Sequence, residues 1–175
     1  MSPARCDPAR PGTGQFAAAC RAAMVPASAP RQLRVLVVDD NEADRRLTAI
    51  QLAAAWPFER DLALEHATDG SQAIAMLRRD CYALVVLDWN LPVMDGGEVL
   101  RTIRREGMRT PVVVVSGMSR QEIGQDLESL GAGFLDKHQM TPDTLRGVIA
   151  NSLCLLGFLV PGAGDDLVHR LKNGA

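Results

Sequence analysis

The sequence is poor in aromatic residues and in cysteine, and it contains no long apolar run. Aromatic residues make up 4% of the 175 positions, so a buried core must be built mainly from aliphatic side chains. The 4 cysteines form no CxxC pair and no Cys/His cluster with zinc-site spacing, which argues against a structural zinc site. No window reaches the roughly 18 apolar residues of a membrane-spanning helix. We therefore expect neither a zinc-binding domain nor a membrane protein.

The charge balance is equally unremarkable. The formal net charge is -2 and the isoelectric point is about 5.9. A nucleic-acid-binding surface would normally raise the isoelectric point well above this value, so we expect no direct nucleic-acid partner. Scattered cysteines of this kind are typical of reduced thiols in a cytoplasmic protein.

The composition divides the chain into three parts. Residues 1–32 are rich in Pro, Ala, Gly and Arg, and they lack the continuous apolar stretch of about 7–15 residues that a signal peptide needs. We expect a disordered extension over 1–32 and one domain over 33–157. Residues 158–175 are interpreted as a short tail without an output domain.

Within 33–157, short apolar runs alternate with amphipathic segments five times. The spacing predicts strands over 33–38, 62–67, 82–88, 111–117 and 131–137, and helices over 42–55, 71–79, 96–105, 119–130 and 142–156. Continuous apolar strands alternating with helices predict an α/β fold, with a doubly wound five-stranded parallel sheet covered on both faces.

Several residues predict how the helices are oriented and capped. In the helix over 42–55, Leu47, Ile50 and Ala54 recur at helical spacing and are the expected apolar positions. Ser119 with Glu122 forms a capping-box pattern, and Thr141-Pro142 is a favourable N-cap with proline at the first helical position.

Polar residues stand at the ends of four of the predicted strands: Asp39 and Asp40, then Asp88, Ser116 and Lys137. In an open parallel sheet, ligands bind beyond the carboxyl ends of the strands. Three neighbouring carboxylates cannot all stay ionised without a cation, and hard oxygen ligands suit Mg2+. A carboxylate beside Mg2+ can accept a phosphoryl group, while a hydroxyl and a lysine can hold the phosphoryl oxygens. Taken singly, the same residues are ordinary helix caps, turn residues and solvated surface.

Four segments carry a resemblance to a known family: VLVVDDN (35–41), LVVLDWNLPVMDG (84–96), VVVVSG (112–117) and GAGFLDK (131–137). Together they resemble the receiver domain of two-component response regulators over about residues 33–157. The second segment is the most specific of the four, because an acid-ended apolar strand followed by LPxMDG is a long pattern. The fold that the resemblance implies is the flavodoxin-like one.

The resemblance also implies a site. Asp88 would accept a phosphoryl group from a histidine kinase or a histidine phosphotransfer protein. Mg2+ would be bound by Asp88 itself, by Asp40 directly, by Asp39 directly or through water, and by the backbone carbonyl of Asn90. Beyond this phosphoryl exchange and slow autodephosphorylation, no enzymatic activity is expected.

The remaining roles concern the output. By resemblance, Ser116 would hydrogen-bond the phosphoryl group, Lys137 would pair with a phosphoryl oxygen, and Phe134 would be the switching aromatic residue. A downstream protein would then bind the face formed by the fourth helix, fifth strand and fifth helix. Family members often form weak dimers through these elements, so weak self-association is compatible with the resemblance.

The sequence departs from the family pattern in three places. His138 follows Lys137 where the family usually has proline, often with a cis bond, so this loop is expected to be set differently. The chain is a few residues longer than usual between Asp40 and Asp88, and the extra length is expected around 56–61. Gly117 follows Ser116, and a small residue there should leave water a route to the phosphoryl group.

Two other functions remain open at this point. A receiver that is never phosphorylated would act as an adaptor, and the His138 departure is the main argument for it. A haloacid-dehalogenase-type hydrolase shares the Mg2+ and the aspartyl nucleophile, but its first strand should end in DxD, whereas Asn41 stands here. No GxGxxG or GxxxxGK[ST] motif follows the first strand, which argues against a nucleotide-binding domain. A stand-alone, phosphorylated response regulator is the preferred interpretation.

Overall fold

A computed structural model describes residues 32–56, 61–123, 127 and 129–155, and strands alternate with helices throughout. The strands are β1 (Gln32–Val38), β2 (Asp61–Ala67), β3 (Leu84–Asp88), β4 (Val112–Ser116) and β5 (Ala132–Asp136). The helices are α1 (Glu42–Ala55), α2 (Gly70–Arg79), α3 (Gly96–Arg105), α4 (Arg120–Ile123) and α5 (Pro142–Leu155), and a 3-10 turn covers Lys137–Gln139.

The five strands form one parallel sheet in the order β2-β1-β3-β4-β5. Every residue of β3 and β4 is buried, as expected for valine-rich strands covered on both faces. The predicted α/β fold with a flavodoxin-like, doubly wound parallel sheet is confirmed. The strand order reverses between β1 and β3, and this is where such a sheet opens a crevice beyond its carboxyl ends.

Two hydrophobic clusters lie on opposite faces of the sheet. Helices α2 and α3 supply side chains such as Ile74 and Leu100 to one cluster, together with Ile123 of α4. Helices α1 and α5 supply Leu52 and Ile149 to the other. Each face therefore packs the apolar side of its helices against the valine and leucine side chains of the central strands.

The helix over 42–55 is confirmed, but the expected apolar face of that helix was wrong. Leu47 is 47% exposed and Ile50 is 67% exposed, and Ala54 is also exposed. The residues that α1 buries are Thr48, Leu52 and Ala55. Small side chains allow α1 to approach the sheet closely, and they contribute little to a pattern read from apolar side chains alone.

The capping predictions are confirmed at both helices. The N–H of Ser119 donates to Oε2 of Glu122 at 2.7 Å, and the N–H of Glu122 donates to Oγ of Ser119 at 3.3 Å. The N–H of Thr144 donates to Oγ1 of Thr141 at 3.2 Å, and α5 begins at Pro142. These caps satisfy helix N–H groups that have no partner within the helix.

Several element ends differ from the predictions. The first described strand begins at Gln32, one residue inside the expected N-terminal extension. β3 begins at Leu84 rather than at 82, and Lys137 belongs to the 3-10 turn rather than to β5. The fourth helix was expected to run to Leu130, but residues 127, 129 and 130 form a turn.

Some predictions concern segments outside the described residues. They include most of the N-terminal extension (1–31), most of the expected longer connection (57–60) and the C-terminal tail (158–175). Among the described helices, none combines the length and the apolar character that crossing a bilayer requires.

Candidate functional site

The three predicted carboxylates meet at the carboxyl end of the sheet, at the crevice between β1 and β3. Asp39 follows β1 directly and is 3% exposed, and Asp88 ends β3 and is 6% exposed. Asp40 is exposed beside them. Carboxylate oxygens of Asp39, Asp40 and Asp88 all lie within 4.8 Å of one another. Parallel strand ends thus bring the adjacent acids Asp39 and Asp40 together with Asp88, which comes from another strand.

Backbone contacts fix the first of these acids. The N–H of Asp39 donates to the carbonyl of Ala67 at 3.1 Å, which extends the pairing of β1 with β2 by one residue. Oδ1 of Asp39 accepts the N–H of Asn41 at 2.8 Å. Asn41, and not Asp40, is the N-cap of α1, because its side chain accepts the N–H groups of Ala43 and Asp44. The carboxylate of Asp40 is therefore not used as a helix cap.

Lys137 extends from the end of β5 into this acidic group. Its Nζ atom lies 3.0 Å from Oδ2 of Asp39 and 3.2 Å from Oδ2 of Asp88. A third carboxylate, that of Asp44 on α1, lies 2.9 Å from the same Nζ. The lysine side chain is 22% exposed, so its ion pairs with the buried Asp39 and Asp88 are largely shielded from bulk water, whereas the pair with Asp44 is partly exposed. One ammonium cannot neutralise the three carboxylates that it contacts.

Burial and charge act against each other at the two central groups. Burial raises the pKa of Asp88 above its ordinary value; the charge of Lys137 opposes this, and the charge of Asp39 reinforces it. Burial alone would lower the pKa of Lys137, but hydrogen bonds to Asp44 and Asp39 and the charge of Asp88 raise it overall. Lys137 is therefore charged at neutral pH in this site.

The donor set fits a hard divalent cation. It consists of oxygen atoms only, and two of the three carboxylates are buried. The negative charge exceeds what Lys137 supplies, so a bound cation would relieve the repulsion among the carboxylates. Asp39, Asp40 and Asp88 could hold Mg2+ in this arrangement. Asn90 borders the same position, since its backbone hydrogen-bonds to Asp88.

The two further predicted residues lie on the neighbouring strands. Ser116 ends β4, one residue beyond Val115, which pairs with Asp88. It is fully buried, and its Oγ atom accepts the N–H of Met118 at 3.0 Å. Phe134 lies on β5, is partly buried, and packs against the hydrophobic cluster that contains Ile123 of α4. Ser116 thus ends the strand next to that of Asp88, with its hydroxyl oxygen bonded to the following loop, while Phe134 contacts the cluster under α4.

The loop after Lys137 is set differently from the family pattern, as the sequence predicts. No cis peptide bond occurs in the described part of the chain, so the Lys137–His138 bond is trans. The N–H of His138 donates to Oδ1 of Asp136 at 2.8 Å and closes the start of the 3-10 turn. A proline at 138 could not make this hydrogen bond. The hydrogen bond from His138 to Asp136 therefore orders this loop in place of the usual proline. Lys137 still contacts the carboxylates of Asp39 and Asp88.

The loop after β3 is packed tightly against the site. The N–H of Gly96 donates to the carbonyl of Trp89 at 2.9 Å, and a Cβ atom at Gly96 would lie 2.6 Å from the carbonyl oxygen of Asp88. Val93, at the tip of this loop, has a φ of 68° and is fully exposed. The glycine allows the start of α3 to approach the end of β3 closely.

Asp44 and Arg45 belong to the surroundings of the site but were missed by sequence reasoning. The Nη1 atom of Arg45 donates to the backbone carbonyl of Asp39 at 2.7 Å. Both residues lie near the start of α1. An acid such as Asp44 at this position is ordinarily explained by its interaction with the positive end of the helix dipole. No short motif distinguishes them, because their partners come from other elements.

The sequence and fold are similar to those of known proteins. The family model described as "Response regulator receiver domain" matches residues 35–150. A protein-glutamate methylesterase/protein-glutamine glutaminase of a Nocardioides species is 36% identical over 104 residues, which are 59% of this chain and 28% of the relative. Response regulator MprA of Mycolicibacterium vanbaalenii is 32% identical over 143 residues, which are 81% of this chain and 58% of the relative.

Among solved structures, the chemotaxis response regulator CheY4 of Vibrio cholerae has a TM-score of 0.58 and 27% sequence identity. The similarity covers 70% of this chain and 99% of that chain. This chain therefore spans only part of the two curated relatives but nearly the whole of this solved structure.

Proposed function

The chain belongs to the response regulator receiver domain family of two-component signalling, and we propose that Asp88 is its phospho-acceptor. The observation that carries the proposal is the position of Asp88. This carboxylate is buried at the crevice, shares the acidic group with Asp39 and Asp40, and has the ammonium of Lys137 at 3.2 Å. The neighbouring carboxylates favour the binding of a cation beside Asp88. The ammonium of Lys137 lies where it can contact a phosphoryl group on this residue.

The proposed reaction is a phosphoryl transfer to a carboxylate. An ionised oxygen of Asp88 attacks the phosphorus atom of a phosphohistidine. The O–P bond forms as the P–N bond breaks, and the electron pair of that bond remains on the imidazole nitrogen of the donor. The product is an acyl phosphate. In autodephosphorylation, water attacks the phosphorus atom and the bond to the carboxylate oxygen breaks. Inorganic phosphate is released, and Asp88 is left ionised.

Mg2+ is the proposed cofactor, with Asp39, Asp40, Asp88 and the backbone carbonyl of Asn90 as its protein ligands. Bound there, the cation would offset the charge that develops on the transferring phosphoryl group. The residues of the chain supply the rest. Lys137 is already within the site, with Nζ 3.2 Å from Oδ2 of Asp88, so its ammonium can pair with a phosphoryl oxygen once Asp88 is modified.

Ser116 and Phe134 are proposed to transmit the modification. Oγ of Ser116 accepts the N–H of Met118, and its hydroxyl hydrogen is left to donate to a phosphoryl oxygen, so a movement of Ser116 toward the phosphoryl group would also act on Met118. Such a movement would shift the start of the β4–α4 connection. Phe134 packs against the same cluster as Ile123 of α4, so a change there can reach the surface formed by α4, β5 and α5.

The proposed partners follow from the family. A histidine kinase or a histidine phosphotransfer protein would donate the phosphoryl group, and a downstream protein would bind the α4–β5–α5 surface. We propose signalling through protein contacts in the cytoplasm, without direct nucleic-acid or membrane binding, and weak dimerisation is compatible with this role. The similarity to a chemotaxis response regulator supports signalling through protein contacts. No enzymatic activity beyond phosphorylation and slow autodephosphorylation is proposed.

Phosphorylation by a small phosphodonor such as acetyl phosphate, followed by intact mass, tests the proposal. The wild type is expected to gain one phosphoryl group in Mg2+ and none in excess chelator, and Asp88→Asn is expected to gain none. Asp143→Asn is the matched control, because this aspartate is 89% exposed and lies on α5 outside the acidic group. It should be phosphorylated as the wild type is.

Two outcomes would overturn the proposal. Label that survives in Asp88→Asn would assign the acceptor to another residue. No label on a folded wild type in Mg2+ would favour a phosphorylation-independent adaptor, the second candidate, for which the unusual Lys137-His138 loop is the specific observation.

A further inference from the structure

The ammonium of Lys137 is shared between two kinds of carboxylate. Asp39 and Asp88 belong to the group of converging oxygens that would hold a cation, and they lie 3.0 Å and 3.2 Å from Nζ. Asp44 lies closer, at 2.9 Å, and is not a member of that group. Lys137 thus has two partners inside the cation site and one outside it.

The position of Asp44 differs from that of the other two acids. Its side chain is 39% exposed, whereas those of Asp39 and Asp88 are 5% and 7% exposed. It projects from the first turn of α1, while Lys137 comes from the far end of the domain sequence, 93 residues later. The pair therefore joins the start of α1 to the end of β5 at the rim of the crevice.

A divalent cation and the ammonium have overlapping requirements. Both are attracted by the carboxylates of Asp39 and Asp88, and they repel each other at short range. Binding of Mg2+ to those carboxylates must therefore weaken the contacts that Lys137 makes with them. Without another anionic partner, the ammonium would either oppose the cation or move out of the site.

We propose that Asp44 is a positioning residue that holds Lys137 at the rim of the site when Mg2+ binds to Asp39 and Asp88. The exposed carboxylate retains the ammonium outside the cation group, and Lys137 stays within reach of a phosphoryl oxygen on Asp88. This inference rests on the proposed function for the identity of the cation. It adds a residue that the family motifs of the sequence do not contain.

A double-mutant cycle on Mg2+ affinity tests the inference without any phosphodonor. The variants are Asp44→Ala, Lys137→Met and their combination, and Mg2+ dissociation constants are measured by calorimetry and by the fluorescence of Trp89, which follows Asp88. Asp44→Ala is expected to weaken Mg2+ binding by about three- to tenfold, the effect of losing one partly buried ion pair. In the Lys137→Met background, the same change should alter affinity by less than about twofold.

Glu42→Ala is the matched control. Glu42 lies in the same first turn of α1, carries the same charge, and pairs with Arg46 instead of Lys137. Its removal tests whether any acid on this turn attracts Mg2+ through its charge alone. Mg2+ affinity in this variant is expected to stay within about twofold of the wild type.

Three results would overturn the inference. An equal loss of Mg2+ affinity in Glu42→Ala would mean that Asp44 acts only through its negative charge and not through its contact with Lys137. This comparison remains valid even if Lys137→Met does not fold. An undiminished effect of Asp44→Ala in the Lys137→Met background would mean that Asp44 acts on Mg2+ directly. Unchanged or tighter binding in Asp44→Ala would remove any role in retaining Lys137.

The two proposals can fail separately. Coupling between Asp44 and Lys137 in Mg2+ binding, with no phosphorylation of Asp88, would sustain this inference and reject the proposed function. Phosphorylation of Asp88 without that coupling would sustain the proposed function and reject this inference.

Discussion

The indole ring of Trp89 lies directly against Gly97, so that a Cβ atom built on this glycine would come within 2.7 Å of Cη2 of the ring. Trp89 is 8% exposed, and its backbone carbonyl is bound by Gly96 at the start of α3. The tryptophan therefore closes the loop after the proposed phospho-acceptor against the helix that follows it.

Gly97→Ala is expected to lower the free energy of unfolding by about 1–3 kcal/mol, because the added methyl group must displace the ring or the helix. Gly147→Ala is the matched change on α5, where a Cβ atom would meet no other atom within 4 Å. Since alanine favours helix over glycine, this variant should gain roughly 0.5–1 kcal/mol. Urea denaturation measures both. Equal effects of the two substitutions would contradict the packing argument.

Much of the candidate site could be predicted because parallel strands end at one edge of the sheet. Asp39, Asp88 and Lys137 each end or directly follow a recognisable apolar strand, so their proximity follows from the order of the elements. Asp44 could not be found in this way. An acid in the first turn of a helix has a sufficient local explanation, and its contact with Lys137 depends on how α1 is rotated against the sheet.

The fold was predicted well in its elements and poorly in one helix face. Leu47 and Ile50 gave α1 an apparent apolar side, whereas the buried side carries Thr48 and Ala55 as well as Leu52. Hydrophobicity alone selects the larger side chains, but close packing of a helix on a sheet favours the small ones.

A polar cluster on β1, β2 and the α2–β3 connection gives a pH-dependent contribution to stability. Nε of Arg34 lies 2.5 Å from Oε1 of Glu65, and its Nη1 lies 3.1 Å from Oδ1 of Asp80. The hydroxyl of Tyr82 donates to Oε2 of Glu65 at 2.9 Å. The hydrogen bond from Arg34 lowers the pKa of Glu65; burial opposes this, and the bond from Tyr82 adds to it.

Glu65→Gln is expected to lower the free energy of unfolding at pH 7 by about 1 kcal/mol, the scale of a hydrogen bond to a charged group partly screened by water. Because the folded-state pKa lies below the ordinary 4.5, the contribution is complete above about pH 4.5. It is lost as the pH falls through the folded-state value, so wild type and variant should converge in acid. Urea denaturation at pH 7 and in the acid range measures the difference.

The control for this prediction is Glu42→Gln. Glu42 and its partner Arg46 are 67% and 77% exposed, so the change should shift stability by less than about 0.5 kcal/mol at either pH. A difference between wild type and Glu65→Gln that persists unchanged in acid would show that burial or packing, and not charge, accounts for the effect of Glu65.

Arg104 ties α3 to the two connections that flank β4. Its guanidinium group donates to four backbone carbonyls, those of Met108, Thr110, Leu130 and Gly131. Burial lowers its pKa to about 10, which still leaves it charged at neutral pH. Arg104→Met is expected to lower the free energy of unfolding by about 2–4 kcal/mol, because the four carbonyls lose a shared hydrogen-bond donor in a partly buried position.

Arg105→Met is the adjacent control for Arg104. Arg105 is exposed and donates to Oγ1 of Thr102, so its loss should change stability by less than about 0.5 kcal/mol. Hydrogen exchange should locate the difference: the amides of the Leu130–Gly131 turn and of β5 are expected to exchange faster in Arg104→Met only. Equal protection of these amides from exchange in the two variants would mean that Arg104 does not stabilise the Leu130–Gly131 turn.

The loop after Lys137 gives the last prediction, in which the residue usual for the family should be the harmful one. His138 donates its N–H to Oδ1 of Asp136 within a trans, 3-10 turn that begins at Lys137. Proline at 138 removes that donor and disfavours the helical backbone angles of the preceding residue, which here is Lys137. His138→Pro is therefore expected to lower the free energy of unfolding by about 1–2 kcal/mol.

His138→Ala separates the backbone from the imidazole, because alanine keeps the N–H and loses only the exposed side chain. It should remain within about 0.5 kcal/mol of the wild type in urea denaturation. If proline displaces Lys137, Asp88 in His138→Pro should also be phosphorylated more slowly than in His138→Ala, measured as intact mass against time in one small phosphodonor. A proline variant as stable as the alanine variant, with the same rate, would mean that the hydrogen bond to Asp136 does not hold Lys137 in place.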